Sequence, residues 1–294
     1  MRFVKFHGYG NDYIVCEAGE LKGVGDLPEF VRRVCDRHYG VGGDGVATVE
    51  RAAGGDSGSG DGEAADFVLR IFNPDGSEAA MSGNGSRSAA GFLYYQGLWR
   101  GEELRLATKA GVKLYRLLDA NGRGRFRFAA EIGRPAFESA AIPMQTGAPA
   151  ERVLDFPLEL ATGERVRLTA LQMCNPNACV FVDDFDKTDW RRLGQALESH
   201  PQFPQRTNVE FVRVADRARI EVRVYDRGDG PTLSSGTGAC AAAVAACLGG
   251  HTDRRVLVEM EGGRLEVEWL DDGEVVLTGE AEVVYRGEWL KAKA

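Results

Sequence analysis

The chain has 294 residues, 44% of them hydrophobic, and a formal net charge of −8. That balance suits a soluble protein of one large or two medium domains, and the absence of a basic block argues against nucleic acid as a partner. No apolar run approaches the roughly 20 residues of a membrane span, and MRFVKFHGYGND lacks the segments of a signal peptide.

Six cysteines (Cys16, Cys35, Cys174, Cys179, Cys240 and Cys247) form no CxxC pair. They read as mostly buried, reduced thiols in a cytoplasmic protein. Four histidines without ligand spacing leave no basis for a metal site, and His7 and His38 read as structural.

In chain order, RFVKF and DYIVCE alternate as strands, and Asp26 caps a helix predicted through LPEFVRRVCDRH. The run GVGGDG (40–45) resembles a phosphate loop but lacks its lysine, so nucleotide binding is rejected. The polar, glycine-rich stretch 52–66 reads as a mobile surface loop. The strand ADFVLRIFN leads to a small-residue helix over 83–97 and a hairpin, ELRLATKAGVKLYRLL. Residues 133–151, rich in proline and alanine, read as the connection between two halves. In the second half, RVRLTALQM and ACVFV are predicted strands, and Thr188 or Asp189 opens a helix through WRRLGQALESH. The strands VEFVRVA and IEVRVYD lead to a second small-residue helix over 236–249. A hairpin predicted to turn at Gly262-Gly263 closes the half.

The halves are related. LRIFNPDGSEAAMSGNGSRSAA (69–90) lies without a gap over VRVYDRGDGPTLSSGTGACAAA (222–243). Ser82, Gly83 and Gly85 meet Ser235, Gly236 and Gly238, each pair following a strand and a polar loop of equal length. This is an internal duplication. The fold class expected is therefore α/β (α+β), with two pseudo-symmetric domains, each a mostly antiparallel, barrel-like sheet around a central helix. A bare helix N-terminus presents backbone N–H groups and partial positive charge to an anion. Two such ends suit a carboxylate gripped in an interdomain cleft, with one serine on each side of the adjacent carbon. The plain alternative for each is a capped core helix.

The motifs HGYGNDYIV (7–15), CDRHYGVGGDG (35–45), FNPDGSEAAMSGNGSR (72–87), CNPNACVFV (174–182), RTNVEFV (206–212) and VYDRGDGPTLSSGTGACAA (224–242) occur in order. Together they resemble diaminopimelate epimerase, of the pyridoxal-independent amino acid racemase superfamily. The resemblance implies interconversion of LL- and meso-diaminopimelate without a cofactor, on the lysine and cell-wall pathway. It implies an N-terminal domain over 1–132 completed by 279–294, and a C-terminal domain over 133–278. Gly83-Asn84 and Gly236-Thr237 are implied to offer the backbone donors for the reacting carboxylate. Asn11, Asn73, Asn175, Asn208, Asp226 and Arg227 are implied to bind substrate, the arginine through a paired fork. The sequence leaves room for a homodimer.

Both catalytic positions depart from the family's cysteines, since Ser82 and Ser235 stand there. The family's histidine, glutamate and glutamine are Asn177, Asp226 and Gly45. Cys240, five residues past Ser235, lies more than a turn further along the helix. A thiol titrates near 8.5 and a hydroxyl far higher. For a gap of about five units, forming the alkoxide costs roughly 7 kcal/mol more than forming the thiolate. Three readings compete: the epimerase with serine bases, a racemase of another amino acid, and a binding protein without catalysis.

Overall fold

The computed structural model describes residues 1–53 and 64–290. Most of the glycine-rich loop expected over 52–66 therefore lies outside the described residues. The chain divides into two compact units, residues 1–131 together with the chain from Thr278 onward, and Ile132–Leu277.

The first unit contains β1 (Arg2–Gly8), β2 (Asn11–Glu17), α1 (Leu27–Cys35), β3 (Gly45–Arg51), β4 (Phe67–Phe72), the short β5 (Glu78–Ala79) and α2 (Gly83–Tyr95). It continues with β6 (Glu103–Thr108), β7 (Gly111–Ala120) and β8 (Arg125–Gly133), and most of the long last strand of the chain, Val275–Glu288, joins it. Pairings run β1–β2–β3–β4–β6–β7–β8, then through that last strand back to β1. The sheet is thus a closed ring, which removes its edges. The helix α2 packs against β1, β2, β3 and β4. Every residue from Gly83 to Leu93 is buried, as a helix wrapped on all sides requires.

The second unit repeats the plan with β9 (Val153–Glu159), β10 (Arg165–Met173), β11 (Asn175–Phe181), α3 (Trp190–Glu198), β12 (Asn208–Asp216) and β13 (Arg219–Asp226). Then come β14 (Gly230–Thr232), α4 (Gly236–Leu248), β15 (Arg255–Met260) and β16 (Gly263–Trp269); the last strand is β17. Here α4 packs against β10, β11, β12, β13, β15 and β16. Its alanines explain that position, because only small side chains let six strands approach one helix. The outer helices are amphipathic instead. Val31 and Val34 of α1 pack with Ile14 and Phe72, and Trp190, Leu193 and Leu197 of α3 pack with Phe211.

Several sequence expectations shift. The first outer helix ends at Cys35, not after DRH, because the Asp36 carboxylate accepts from the His38 and Tyr39 N–H groups and turns the chain. Asp189, rather than Thr188, caps α3 by accepting from Arg192 N–H. The central helices stop at Tyr95 and Leu248, slightly short of expectation. The late hairpin turns at Glu261-Gly262, and Gly263 already pairs with Met260. The stretch 133–151 is more than a connector, since Ile142 and Met144 are buried in the second unit's core. Cys174 is exposed, while Cys16, Cys35, Cys179 and Cys240 are buried. The strands β3, β8 and β9 were not anticipated.

Candidate active site

In each unit the central helix starts in the same way. Ser82 is extended (φ −141°) and its Oγ accepts from the Gly85 N–H at 3.1 Å. Ser235 (φ −131°) caps the Gly238 N–H at 3.2 Å. The first intrahelical bonds are Ser86 N–H to Ser82 O and Ala239 N–H to Ser235 O. The N–H groups of Gly83-Asn84 and Gly236-Thr237 precede those bonds, so helix geometry gives them no partner inside the helix. Two consecutive donors at a positive helix end can hold a carboxylate oxygen.

The first unit brings Ser82, Gly83 and Asn84 together with β2. The Tyr13 hydroxyl lies 2.9 Å from Ser82 Oγ, a partner sequence reasoning missed although HGYGNDYIV was singled out. The Asn84 side chain turns inward: its Oδ1 accepts from the buried Arg87 guanidinium, so only the backbone of Asn84 is offered outward. Asn11 stands two residues before Tyr13 on the same strand face. Its Nδ2 donates to Asp44 Oδ2 at 2.9 Å, and among the described residues no hydrogen bond occupies its Oδ1. Asp44 belongs to a charged network with Asp12, Lys5 and Arg37. Burial acts to raise Asp12, but hydrogen bonds from Arg37 and Lys5 outweigh it and bring the carboxyl to about 2. Within the run GVGGDG, Asp44 is thus the anchor of Asn11. Asn73 follows β4 and donates to Ser77 Oγ at 3.0 Å, which makes it a turn residue as well as a candidate contact.

The second unit collects its candidates at strand ends. Asn175 opens β11, Asn208 opens β12 and Asp226 closes β13, with Val209 paired to Tyr225. Asn177 Nδ2 donates to Asn175 O at 2.6 Å, and Asn208 Oδ1 accepts from the Arg227 N–H at 2.8 Å. Asn208 therefore holds the backbone of Arg227. The Arg227 guanidinium donates to Gln205 O at 3.1 Å. Glu198, only 3% exposed, fixes the same loop by accepting from Gly228 N–H at 3.0 Å and from Arg206 at 2.6 Å. Thr232 donates to Asp226 Oδ2 at 2.8 Å. Desolvation of the Asp226 carboxyl, whose surroundings are dense although the residue keeps some exposure, raises it to about 6, and Asp229 adds to the rise.

Glu198, Tyr13 and a fully buried glutamate, Glu210, were not singled out from sequence. Tyr13 and Glu210 sit at strand positions whose alternation turns them toward a central helix. That signal was readable once β2 and β12 were aligned with the helix starts.

A closed or nearly closed sheet around a helix, twice over, with a capped serine at each helix start, defines the fold. Solved structures that share this fold include a hydroxyproline epimerase, a methylitaconate-delta-isomerase and PhzF-family proteins. The fold matches a probable proline racemase from Agrobacterium radiobacter with TM-score 0.69 at 16% identity, covering 98% of this chain and 92% of that one. It also matches the Bacillus anthracis phenazine biosynthesis protein of the PhzF family with TM-score 0.66 at 17% identity, covering 99% of each. Sequence narrows the class. The diaminopimelate epimerase family model matches residues 3–135 and 169–284. The diaminopimelate epimerase of Moorella thermoacetica is 44% identical over 291 residues, 98% of this chain and 99% of the relative. That of Pelotomaculum thermopropionicum is 42% identical over 290 residues, with the same coverage. The chain belongs to the diaminopimelate epimerase family.

Proposed function

We propose that the protein is an isomerase that interconverts LL- and meso-diaminopimelate by proton transfer at the α-carbon. The observation that carries this reading is the pair of capped serines, each beside two helix-start donors, in a chain more than 40% identical to epimerases of that name. Inversion at carbon needs a proton acceptor on one face and a donor on the other. Ser82 and Ser235 take these roles, with the reacting carboxylate on Gly83-Asn84 and Gly236-Thr237. As negative charge develops on that carboxylate, the oriented N–H groups stabilise it without reorganising. Asn11, Asn73, Asn175, Asn208, Asp226 and Arg227 bind the amino acid groups. Asn11 Oδ1 and ionised Asp226 suit ammonium, and the Arg227 fork suits the distal carboxylate.

The residues proposed to act are side chains and backbone of the chain itself. No helix among the described residues is long and apolar enough to cross a membrane, and the cytoplasmic reading rests on the free thiols. For assembly, the proposal extends to a homodimer, which light scattering measures.

The test of the function is deuterium incorporation. In heavy water the purified protein should place deuterium at the α-carbon of diaminopimelate and yield both stereoisomers. Binding without exchange would instead support the non-catalytic reading.

A further inference from the structure

The two serines have different groups behind them. A Cβ placed on Gly85 would stand 2.9 Å from Tyr13 Cε1 and 3.3 Å from Ser82 Cβ, so the tyrosine ring fills the space behind that serine. In the second unit the matching strand position holds Asn177. Tyr13 pairs with Gly45 across parallel β2 and β3, as Asn177 pairs with Asn208 across parallel β11 and β12. Asn177 is shorter than tyrosine and spends its amide on Asn175.

The neighbouring strand fills that space instead. A Cβ on Gly238 would stand 2.9 Å from Glu210 Oε1 and 3.1 Å from Ser235 Oγ. The two oxygens are therefore no more than about 6 Å apart, within reach of a rotamer change of the two side chains. Glu210 is fully buried. Its Oε2 faces Cys179 Sγ at 3.8 Å, and among the described residues Oε1 has no hydrogen-bond partner. A buried carboxyl oxygen left open within about 6 Å of Ser235 Oγ calls for an explanation. Burial, and then the charge of Asp226, push Glu210 well above the ordinary carboxylate range. Cys179, raised in the same way, is too weak an acid to compete for the role.

We infer that Glu210 is the proton reservoir of Ser235, acting through the serine hydroxyl and not on the substrate. This inference rests on the reading of Ser235 as a base. When Ser235 Oγ takes the α-proton, the C–H electron pair stays on the substrate and spreads into its carboxylate. The serine's own proton passes to the Glu210 carboxylate at the same time, so one Glu210 O–H bond forms and no alkoxide accumulates. In the reverse direction the Glu210 O–H bond breaks, Oγ is reprotonated, and its former proton completes the C–H bond. A high-affinity proton site suits both directions, because it is a strong base when ionised and an acid when neutral.

The experiment separates the faces. Ser82→Ala leaves Ser235 as the working group, and Glu210→Gln in that background should lower α-hydrogen exchange with diaminopimelate at least about tenfold. In the Ser235→Ala background the same change should alter exchange less than about twofold, since only a structural effect could reach Ser82. Equal losses in both backgrounds would reduce Glu210 to a core residue and overturn the inference. Infrared spectroscopy supplies a readout independent of turnover. The carboxyl band, neutral or ionised, that disappears in Glu210→Gln should shift in Ser235→Ala, and a band that does not move overturns the relay. Exchange that persists undiminished in the Ser82→Ala, Glu210→Gln protein removes the relay alone. No exchange in the unsubstituted protein removes the serine-base reading and the relay with it.

Discussion

The Tyr13 hydroxyl lies 2.9 Å from Ser82 Oγ, while the same serine oxygen accepts from the Gly85 N–H at 3.1 Å. A phenol and a backbone amide together hold this hydroxyl in one orientation. Tyr13→Phe removes the phenol and keeps the ring against Gly85. Stability should fall by about 1 kcal/mol, the net worth of one hydrogen bond. Exchange carried by Ser82, measured in the Ser235→Ala background, should fall at least about tenfold. An unchanged rate would mean that Tyr13 only fills space.

Asp226 couples stability and binding to pH with opposite signs. Burial raises its carboxyl to about 6 from the ordinary 3.8. The folded state therefore binds the proton more tightly than the unfolded state. The group's contribution is fully present below about pH 4 and is lost as pH rises through 6. The loss is at most about 3 kcal/mol, and less for a residue with some solvent contact. Asp226→Asn should flatten the stability profile between pH 4 and 6 in denaturant titrations. Affinity for the substrate ammonium should rise across the same window, and in Asp226→Asn that rise should vanish.

Arg227 depends on its supports. Arg227→Lys keeps the charge and loses the fork, so calorimetry should show diaminopimelate binding weakened about tenfold. Glu198→Gln should weaken binding too, because the Gly228 N–H and Arg206 lose their shared ionic acceptor. It should also destabilise the protein by about 1–3 kcal/mol, since a buried charged hydrogen-bond partner is removed. Unchanged affinity in Arg227→Lys would take the arginine out of the site.

Ser82→Cys together with Ser235→Cys should raise epimerisation well above that of the starting protein, by less than the roughly five decades set by the thiol and hydroxyl acidities. Asn177 and Asp226 stand where the family has histidine and glutamate, so a thiolate has weaker support here. Each single change should give exchange with little net inversion, because one competent base returns the proton to its own face. Stereochemical analysis of deuterated product checks this. A double-serine protein faster than its double-cysteine variant would show a site rebuilt around hydroxyls, as the Glu210 relay allows.

By itself the sequence determined the duplication, the two central helices and their capped starts. These are local matters. Ser-Gly-x-Gly ahead of an alanine run sets an N-cap, bare N–H groups and a helix buried on all sides, whatever surrounds it. The strands with clean alternation were legible for the same reason. Tertiary structure alone decided which side chains stand behind each serine. Tyr13 and Glu210 reach the same kind of position from different strands, β2 and β12, because parallel pairing sets Tyr13 opposite Gly45 and Asn177 opposite Asn208. It also decided that Ile142 and Met144 belong to a core and that β17 closes the first ring. Such contacts join residues far apart in the chain. Register and burial fix them, and a period-two pattern says which face a residue occupies but not what it meets there.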